Sequence, residues 1–193
     1  WNALPYQIVE RSFVNYRHAC FRSGNLPDGR HDRQGNNGNI SKKSNISISD
    51  ETTDKIIKLK RRIFNDIFAV TLIKGIKNLL LELKDRQYNL ALVTGTRLDV
   101  VKKVLQEGLE NIFEVIITGE MVNKGKPNPE PYLKAVDELK VTKEDCIVIE
   151  NAPAGITSAK GAGLTCFAVQ TSLSEEYLQD ADKIFKDIEG VSK

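Results

Sequence analysis

The sequence predicts an α/β protein with a doubly wound parallel core and a smaller helical unit. From Gly75 onward, apolar runs of four or five residues alternate with segments of helical periodicity. The runs are apolar along their whole length, which is typical of parallel strands covered by helices on both faces. Residues 72–193 are therefore predicted to form the core, and residues 1–71 a separate, mostly helical domain.

The first domain is predicted to contain two helices joined by an irregular segment. One helix is expected over residues 5–21, because its apolar residues lie close to one face. Residues 22–50 are rich in Gly, Asn, Ser and charge, and are predicted to form a long loop. A second helix is expected to begin at Ser49 or Asp50, either of which can cap it, and to end near Ala69.

The core elements follow in alternating order. Strands are predicted at residues 90–94, 115–118, 146–149 and 165–169, with a last short strand at 183–185. Helices are predicted around the apolar stripes of residues 76–83 and 98–105, and over residues 129–140, 153–163 and 174–181. Each of the first four of these strands is thus followed by a helix that can return the chain to the same edge of the sheet.

The composition excludes several classes of protein. The chain has 28 basic and 26 acidic residues, which argues against a nucleic-acid-binding protein because such binding depends on concentrated basic charge. No stretch reaches the ~18 apolar residues of a membrane span, and the N-terminus lacks the pattern of a signal peptide. Cys20, Cys146 and Cys166 have no metal-ligand or redox spacing. We therefore expect a cytoplasmic protein with no nucleic-acid or membrane partner, in which Cys146 and Cys166 are buried.

Polar residues follow the strand at residues 90–94. Ligands of doubly wound sheets bind at the carboxyl ends of the strands. This strand ends in Thr94, Gly95 and Thr96, directly before a predicted helix. A hydroxyl with backbone N–H groups at a helix start is typical of an anion site. A simple helix cap explains the same residues equally well.

Two further groups are predicted at the same edge. Lys126 follows strand 115–118 in a segment stiffened by three prolines. A lysine held in place there suits a phosphate. Considered alone, however, Lys126 is better interpreted as a solvated loop residue. Strand 146–149 is followed by Glu150 and Asn151, whose oxygens suit Mg²⁺, while Asn151 also suits a helix cap. The three groups together favour phosphate and magnesium chemistry.

Three segments carry a family resemblance. LALVTGT (90–96), GKPNPEPYLKAV (125–136) and IVIENAPAGITSAKGAGL (147–164) resemble the second, third and fourth motifs of the haloacid dehalogenase-like hydrolases. The nearest branch is that of β-phosphoglucomutase and phosphoglycolate phosphatase-like enzymes. The resemblance implies a Rossmann-like core with a helical cap. It also implies a Mg²⁺-dependent phosphatase that acts through an aspartyl-phosphate on a small phosphorylated metabolite.

The resemblance also assigns roles to individual residues. It implies that Thr94 holds the transferring phosphoryl group, together with Gly95 and Thr96. Lys126 would neutralise the phosphate and the nucleophile. Glu150 and Asn151 would hold Mg²⁺, in a pair whose second position is often Asp in related sequences. The predicted catalytic residues are thus Lys126 and Thr94.

The family's first motif, an apolar strand ending in D-x-D-G-T, has no counterpart in the sequence. The nearest string, LPDGR (26–30), has Leu26 at the position of the nucleophile. WNAL (1–4) resembles the start of the cap. We therefore expect the chain to begin just beyond the motif and the core to lack its central strand. The gap would then be filled by another segment, closed by rearrangement, or left at a cost in stability.

Two alternative functions remain open on this sequence. A phosphosugar mutase of the same branch would use the same residues and differ mainly in the cap. A non-catalytic phosphate-binding remnant would explain why no nucleophile is visible, and we expect no phosphatase turnover from the chain alone.

Overall fold

The computed structural model describes residues 7–10, 49, 51–52, 54–56, 58–59, 72–171 and 173–191. The chain divides into two compact units, one formed by residues 1–15 and 70–193 and the other by residues 16–69. In the second unit, Ser49 Oγ accepts the backbone N–H of Thr52 at 3.3 Å, and the described residues from 51 to 59 are helical. This agrees with the predicted helix start. The rest of that helix and residues 22–48 lie outside the described part of the chain.

The core of the first unit is one sheet of six parallel strands. The strands are β1 (Gln7–Glu10), β2 (Leu90–Val93), β3 (Val115–Ile117), β4 (Cys146–Glu150), β5 (Thr165–Val169) and β6 (Lys183–Phe185). Their order across the sheet is β3-β2-β1-β4-β5-β6, which is the strand order of the Rossmann-type fold. The predicted fold class is therefore confirmed.

The central strand, β1, corrects three expectations. Val9 pairs with Ala91 of β2 on one side and with Val148 of β4 on the other. The prediction of a helix over residues 5–21 is therefore wrong at residues 7–10, and so is the expectation that the core lacks its central strand. The predicted domain boundary at residue 71 is wrong for this segment, which belongs to the sheet. The gap is filled by another part of the chain, one of the three outcomes expected.

Helices connect the strands much as predicted. They are α1 (Ile76–Asp85), α2 (Leu98–Leu105), α3 (Glu130–Leu139), α4 (Pro153–Gly161) and α5 (Ile188–Val191), with short 3₁₀ turns at Gly119–Met121, Lys143–Asp145 and Glu175–Tyr177. The helix predicted over residues 174–181 is therefore wrong, since only a single 3₁₀ turn forms there. No described helix is long and apolar enough to cross a membrane.

Side chains of successive strand residues enter two separate apolar layers. Leu90 and Leu92 of β2 pack with α1 on one face, whereas Ala91 and Val93 pack with residues of α3 and α4 on the other. This alternation is the two-residue period of a strand whose faces are both covered. Cys146 and Cys166 are buried free thiols in the second layer, as predicted.

Candidate active site

Thr94 follows β2 at the carboxyl edge of the sheet. Its backbone N–H donates to Ile117 O at 2.9 Å, and its Oγ1 accepts the N–H of Thr96 at 3.1 Å. Within the described part of the chain, the Thr94 hydroxyl hydrogen and the Gly95 N–H have no acceptor. Both donors are therefore available to an anion.

The start of α2 contributes less to an anion site than the sequence predicts. Glu120 Oε2 accepts the N–H of Leu98, the first residue of the helix, at 3.1 Å. The loops are also in close contact, because a Cβ added at Gly119 would lie 2.5 Å from Gly95 O. A carboxylate of the protein therefore occupies the helix start, and Gly119 lets its loop approach the Gly95 peptide.

The loop that carries Lys126 is held from two sides. Glu130, at the start of α3, accepts two backbone N–H groups of the loop, including that of Lys124 at 2.9 Å. On the other side, the buried Ser158 of α4 donates its Oγ–H to Asn128 O at 2.6 Å. The prediction that the chain holds this segment rigidly agrees with these contacts, which fix the backbone on both sides of the lysine.

Lys126 points into the protein, and its side chain is 1% exposed. The ammonium Nζ donates to Val93 O at 3.1 Å, to Tyr132 Oη at 2.6 Å and to Glu150 Oε1 at 2.7 Å. The peptide bond between Lys126 and Pro127 is cis. Because Val93 directly precedes Thr94, the contact with its carbonyl places the buried cation beside the loop that offers the anion donors.

Glu150 is the last residue of β4 and is almost fully buried. Its Oε1 accepts hydrogen bonds from Lys126 and from the hydroxyl of Tyr132, the latter at 2.8 Å. Its Oε2 accepts the backbone N–H groups of Asn151 and Ala152 at 3.0 and 3.3 Å. Within the described part of the chain, four donors therefore contact the two oxygens of the carboxylate, which compensates the cost of burying its charge.

Gly155 in α4 makes room for this carboxylate. A Cβ at that position would overlap the Oε1, Cδ and Oε2 atoms of Glu150. Pro153 occupies the first turn of the helix, where its missing N–H costs nothing. The sequence that follows β4 thus turns the chain sharply and places a glycine, which has no side chain, against the buried carboxylate.

Asn151 is partly buried and points to a different neighbour. Its Nδ2 donates to Thr171 Oγ1, beyond the end of β5, at 2.9 Å. Its Oδ1 accepts no hydrogen bond from the residues that the structure describes. Those residues also contain no group of three His, Cys, Asp or Glu side chains that could hold a metal ion.

These features match a known family. Residues 30–169 fit the family model described as haloacid dehalogenase-like hydrolase. This chain belongs to that family.

Curated relatives of this haloacid dehalogenase-like hydrolase include two phosphatases. The chain is 36% identical over 124 residues to validoxylamine A 7'-phosphate phosphatase of Streptomyces hygroscopicus subsp. limoneus, a match covering 64% of this chain and 58% of the relative. It is 32% identical over 106 residues to phosphorylated carbohydrates phosphatase of Thermotoga maritima, covering 54% and 48%. The matched region therefore spans about half the length of these relatives.

Solved structures of this family have the same fold. A putative β-phosphoglucomutase from Bacteroides vulgatus matches with a TM-score of 0.71 at 27% identity, covering 80% of this chain and 65% of that one. CbbY from Rhodobacter sphaeroides, solved in complex with phosphate, matches with a TM-score of 0.59 at 30% identity, covering 68% and 63%.

The structure brings together only some of the residues predicted for this hydrolase site. Lys126 and Glu150 form a buried pair beside Thr94. Both oxygens of Glu150 accept hydrogen bonds within the protein, whereas Asn151 Oδ1 accepts none from the described residues. Their assignment to Mg²⁺ stays a prediction, as do the phosphate-binding roles of Thr94, Gly95, Thr96 and Lys126.

Tyr132, Gly155 and Thr171 were missed from the sequence. Tyr132 carried a usable signal, since a tyrosine on the buried face of a helix needs a partner for its hydroxyl. Gly155 also carried one, because a glycine within the first turns of a helix often marks a close approach. Thr171 carried none, because only the folding of β5 beside β4 brings it to Asn151.

The end of β1 is where this family carries its nucleophile. β1 ends at Glu10, in register with Leu92 and Ile149. The next residues in the sequence are Arg11 and Ser12, so no aspartate follows the strand and the D-x-D-G-T motif is absent there.

Proposed function

We propose that this chain is the phosphate-binding core of a Mg²⁺-dependent phosphomonoester hydrolase that acts through an aspartyl-phosphate on a small phosphorylated metabolite. Family membership and the phosphatases among the relatives support this proposal. The supporting structural observation is the hydrogen bond from Lys126 Nζ to Val93 O at 3.1 Å. It places a buried cation at the strand end that carries Thr94.

The chemistry available at this edge is recognition of a phosphoryl group. The Thr94 hydroxyl and the Gly95 N–H would donate to two phosphoryl oxygens. Lys126 would offset the negative charge from one side, at short range and in a poorly solvated position where the attraction is strong. Glu150 would keep the ammonium oriented without contacting the substrate, since its oxygens accept four hydrogen bonds from the protein.

A magnesium ion, when bound, would offset phosphate charge. Asn151 Oδ1 suits such an ion, since amide oxygens are accepted ligands and Mg²⁺ keeps several waters. One neutral oxygen is too little to hold Mg²⁺ firmly, so the described residues fit the metal only in part. We expect weak Mg²⁺ binding by the chain, and tighter binding in Asn151→Asp because a carboxylate adds charge. Calorimetry that finds equal Mg²⁺ affinity in the two proteins would remove Asn151 from the site.

Two other functions have specific support. A phosphosugar mutase is favoured by the similarity to the solved structures of two putative β-phosphoglucomutases. A non-catalytic phosphate-binding protein is favoured by the sequence after β1, which lacks the aspartate of the first motif. Incubation with β-glucose 1-phosphate separates the hydrolase from the mutase, because a hydrolase releases phosphate and a mutase produces the 6-phosphate.

The phosphate site is tested by titrating the purified chain with inorganic phosphate in a calorimeter. Lys126→Ala should abolish most of the binding, because it removes the buried cation. Lys124→Ala is the matched control, since that lysine lies in the same loop but is exposed. Equal losses in the two variants would refute the assignment of Lys126.

Turnover is tested separately with a panel of sugar phosphates, with and without Mg²⁺. Phosphate binding without hydrolysis would support the non-catalytic alternative for this chain. Robust Mg²⁺-dependent hydrolysis that Lys126→Ala removes would support the phosphatase, and would show that the first 71 residues contain a nucleophile.

A further inference from the structure

Tyr132 combines complete burial with a polar contact. It lies on α3 in the second apolar layer and is 0% exposed. A phenylalanine would fill the same space in an apolar layer, so packing alone does not require the hydroxyl. A buried tyrosine hydroxyl usually has a hydrogen-bonding partner, and here it contacts two charged groups.

The hydroxyl closes a triangle with the buried ion pair. Tyr132 Oη lies 2.6 Å from Lys126 Nζ and 2.8 Å from Glu150 Oε1, and those two charged atoms lie 2.7 Å apart. The hydroxyl accepts from the ammonium and donates to the carboxylate, so both of its functions are used. Hydrogen bonds to charged groups in a buried site are stronger than those between neutral groups.

We propose that Tyr132 is a positioning residue for phosphate binding, whose hydroxyl fixes the ammonium of Lys126 against Glu150 beside the Thr94 loop. A lysine carries its charge on a flexible four-carbon stem. The contacts with Val93 O and Glu150 restrain the ammonium on two sides, and the hydroxyl restrains it from the side of α3. Without the hydroxyl, the ammonium would shift or admit water, and phosphate would have to bind a less ordered cation.

This inference rests on the proposed function, because it assumes that the charge of Lys126 attracts phosphate to the Thr94 loop. The first experiment compares inorganic phosphate affinities in Tyr132→Phe and in the control Tyr88→Phe, whose residue packs partly buried against the other apolar layer. Tyr132→Phe should weaken phosphate binding about tenfold, the size expected for losing one hydrogen bond to a charged group. Tyr88→Phe should leave the affinity unchanged.

A double substitution separates positioning from general loss of structure. If the hydroxyl acts through the lysine, Tyr132→Phe should cause no further loss of the residual phosphate binding in a Lys126→Met background. A merely structural role of Tyr132 would lower the affinity in both backgrounds by a similar factor, and that result would overturn the inference.

A spectroscopic readout on the unaltered chain covers the case in which Tyr132→Phe does not fold. With ¹⁵N-labelled lysine and labelled tyrosine, phosphate should shift the ammonium signal of Lys126 and the ring signals of Tyr132 together. If only the Lys126 signal shifts, the proposed function stands and the role of Tyr132 is refuted. If phosphate shifts neither signal and shows no Lys126-dependent binding, the proposed function itself fails, and the inference fails with it.

Discussion

The two edges of the sheet use the same chemical groups at very different depths. At the carboxyl edge, Lys126 pairs with Glu150, whose carboxylate also accepts backbone N–H groups. At the amino edge, Lys84 pairs with Glu114, and Glu114 Oε2 accepts the N–H of Leu90, the first residue of β2, at 2.5 Å. Both arrangements join a lysine, a carboxylate and the end of a strand.

A second pair at the amino edge repeats the pattern. Lys160 of α4 contacts Asp182, which accepts the N–H of Cys166 in β5 at 2.7 Å. The side chains of Lys160 and Asp182 are 41% and 39% exposed, whereas those of Lys126 and Glu150 are 1% and 0% exposed. The difference between the edges is therefore burial and not composition.

This contrast indicates what each pair does. Exposed pairs contribute up to ~1 kcal/mol and serve here to hold helices and strand starts together. A buried pair must overcome the desolvation of two ions, and apolar residues of similar size are often as stable or more stable. Stability alone therefore does not explain Lys126 and Glu150, whereas a fixed cation at the ligand-binding edge does.

The largest expected effect is that of breaking the buried pair. Lys126→Met should lower the free energy of unfolding by ~3–5 kcal/mol, because it leaves the charge of Glu150 buried without its cation. Lys160→Met, at the exposed pair, should cost at most ~1 kcal/mol. Urea denaturation followed by circular dichroism measures both, and similar losses would remove the distinction between the edges.

Replacing both partners sharpens the same comparison. Lys126→Met combined with Glu150→Leu should recover much of the stability lost in the single variant, because no unpaired charge remains. Phosphate binding should stay as weak as in the single variant. A double variant that is as unstable as Lys126→Met would mean that the pair stabilises the fold through its geometry.

A smaller effect is expected from crowding the buried carboxylate. Gly155→Ala should destabilise the protein by ~1–3 kcal/mol, since the new methyl group and Glu150 cannot occupy the same space. Gly161→Ala is the matched control on the same helix, because its Cβ would lie 3.6 Å from Pro129, an ordinary contact. It should be neutral or stabilising. Thermal unfolding of both variants tests this, and equal midpoints would contradict the packing of Gly155 on Glu150.

The smallest effect concerns pH at the amino edge. Burial acting alone would raise the pKa of Asp182, but the hydrogen bonds from Cys166 N–H and Lys160 outweigh it, so the pKa lies below its ordinary value. The carboxylate therefore stabilises the fold above the unfolded pKa of about 4, and this contribution is lost as pH falls through the lower folded pKa. Asp182→Asn should cost at most ~1 kcal/mol at pH 7. Denaturation at several pH values should show the difference shrinking in acid; a constant difference would rule out the charge as its cause.

The alternating core could be predicted from the sequence because the spacing of apolar residues in each segment is typical of either a helix or a buried strand. The strand at Thr165–Val169 and the last strand at Lys183–Phe185 form at the predicted residues, since short apolar runs between helices have few alternatives. β1 could not be found in this way. Its four residues include two polar ones, and Ile8 and Val9 fit the helical stripe that continues to Cys20. Pairing with β2 and β4 overrides that local preference.

The candidate site, like the fold, could be predicted from the sequence only in part. Lys126 and Glu150 were found because each follows a predicted strand and lies in a family motif, and their placement at the carboxyl edge follows from the parallel strands. The direction of their side chains does not follow from any spacing. Glu150 points toward Tyr132 and Lys126 and accepts hydrogen bonds from both, which no pattern in the sequence predicted.

The position of β1 also has a consequence for how the chain folds. Gln7 pairs with Cys146, and Ile8 pairs with both Leu90 and Ile147, so the middle of the sheet depends on contacts between distant parts of the sequence. Such contacts slow folding, because loop closure must precede the gain from pairing. At a synthesis rate of about 5–20 residues per second, β4 emerges on the order of ten seconds after β1. β2 emerges part-way through that interval, but the edge of β1 that pairs with β4 lacks its final partner throughout. The nascent chain is then most exposed to misassembly and most dependent on chaperones.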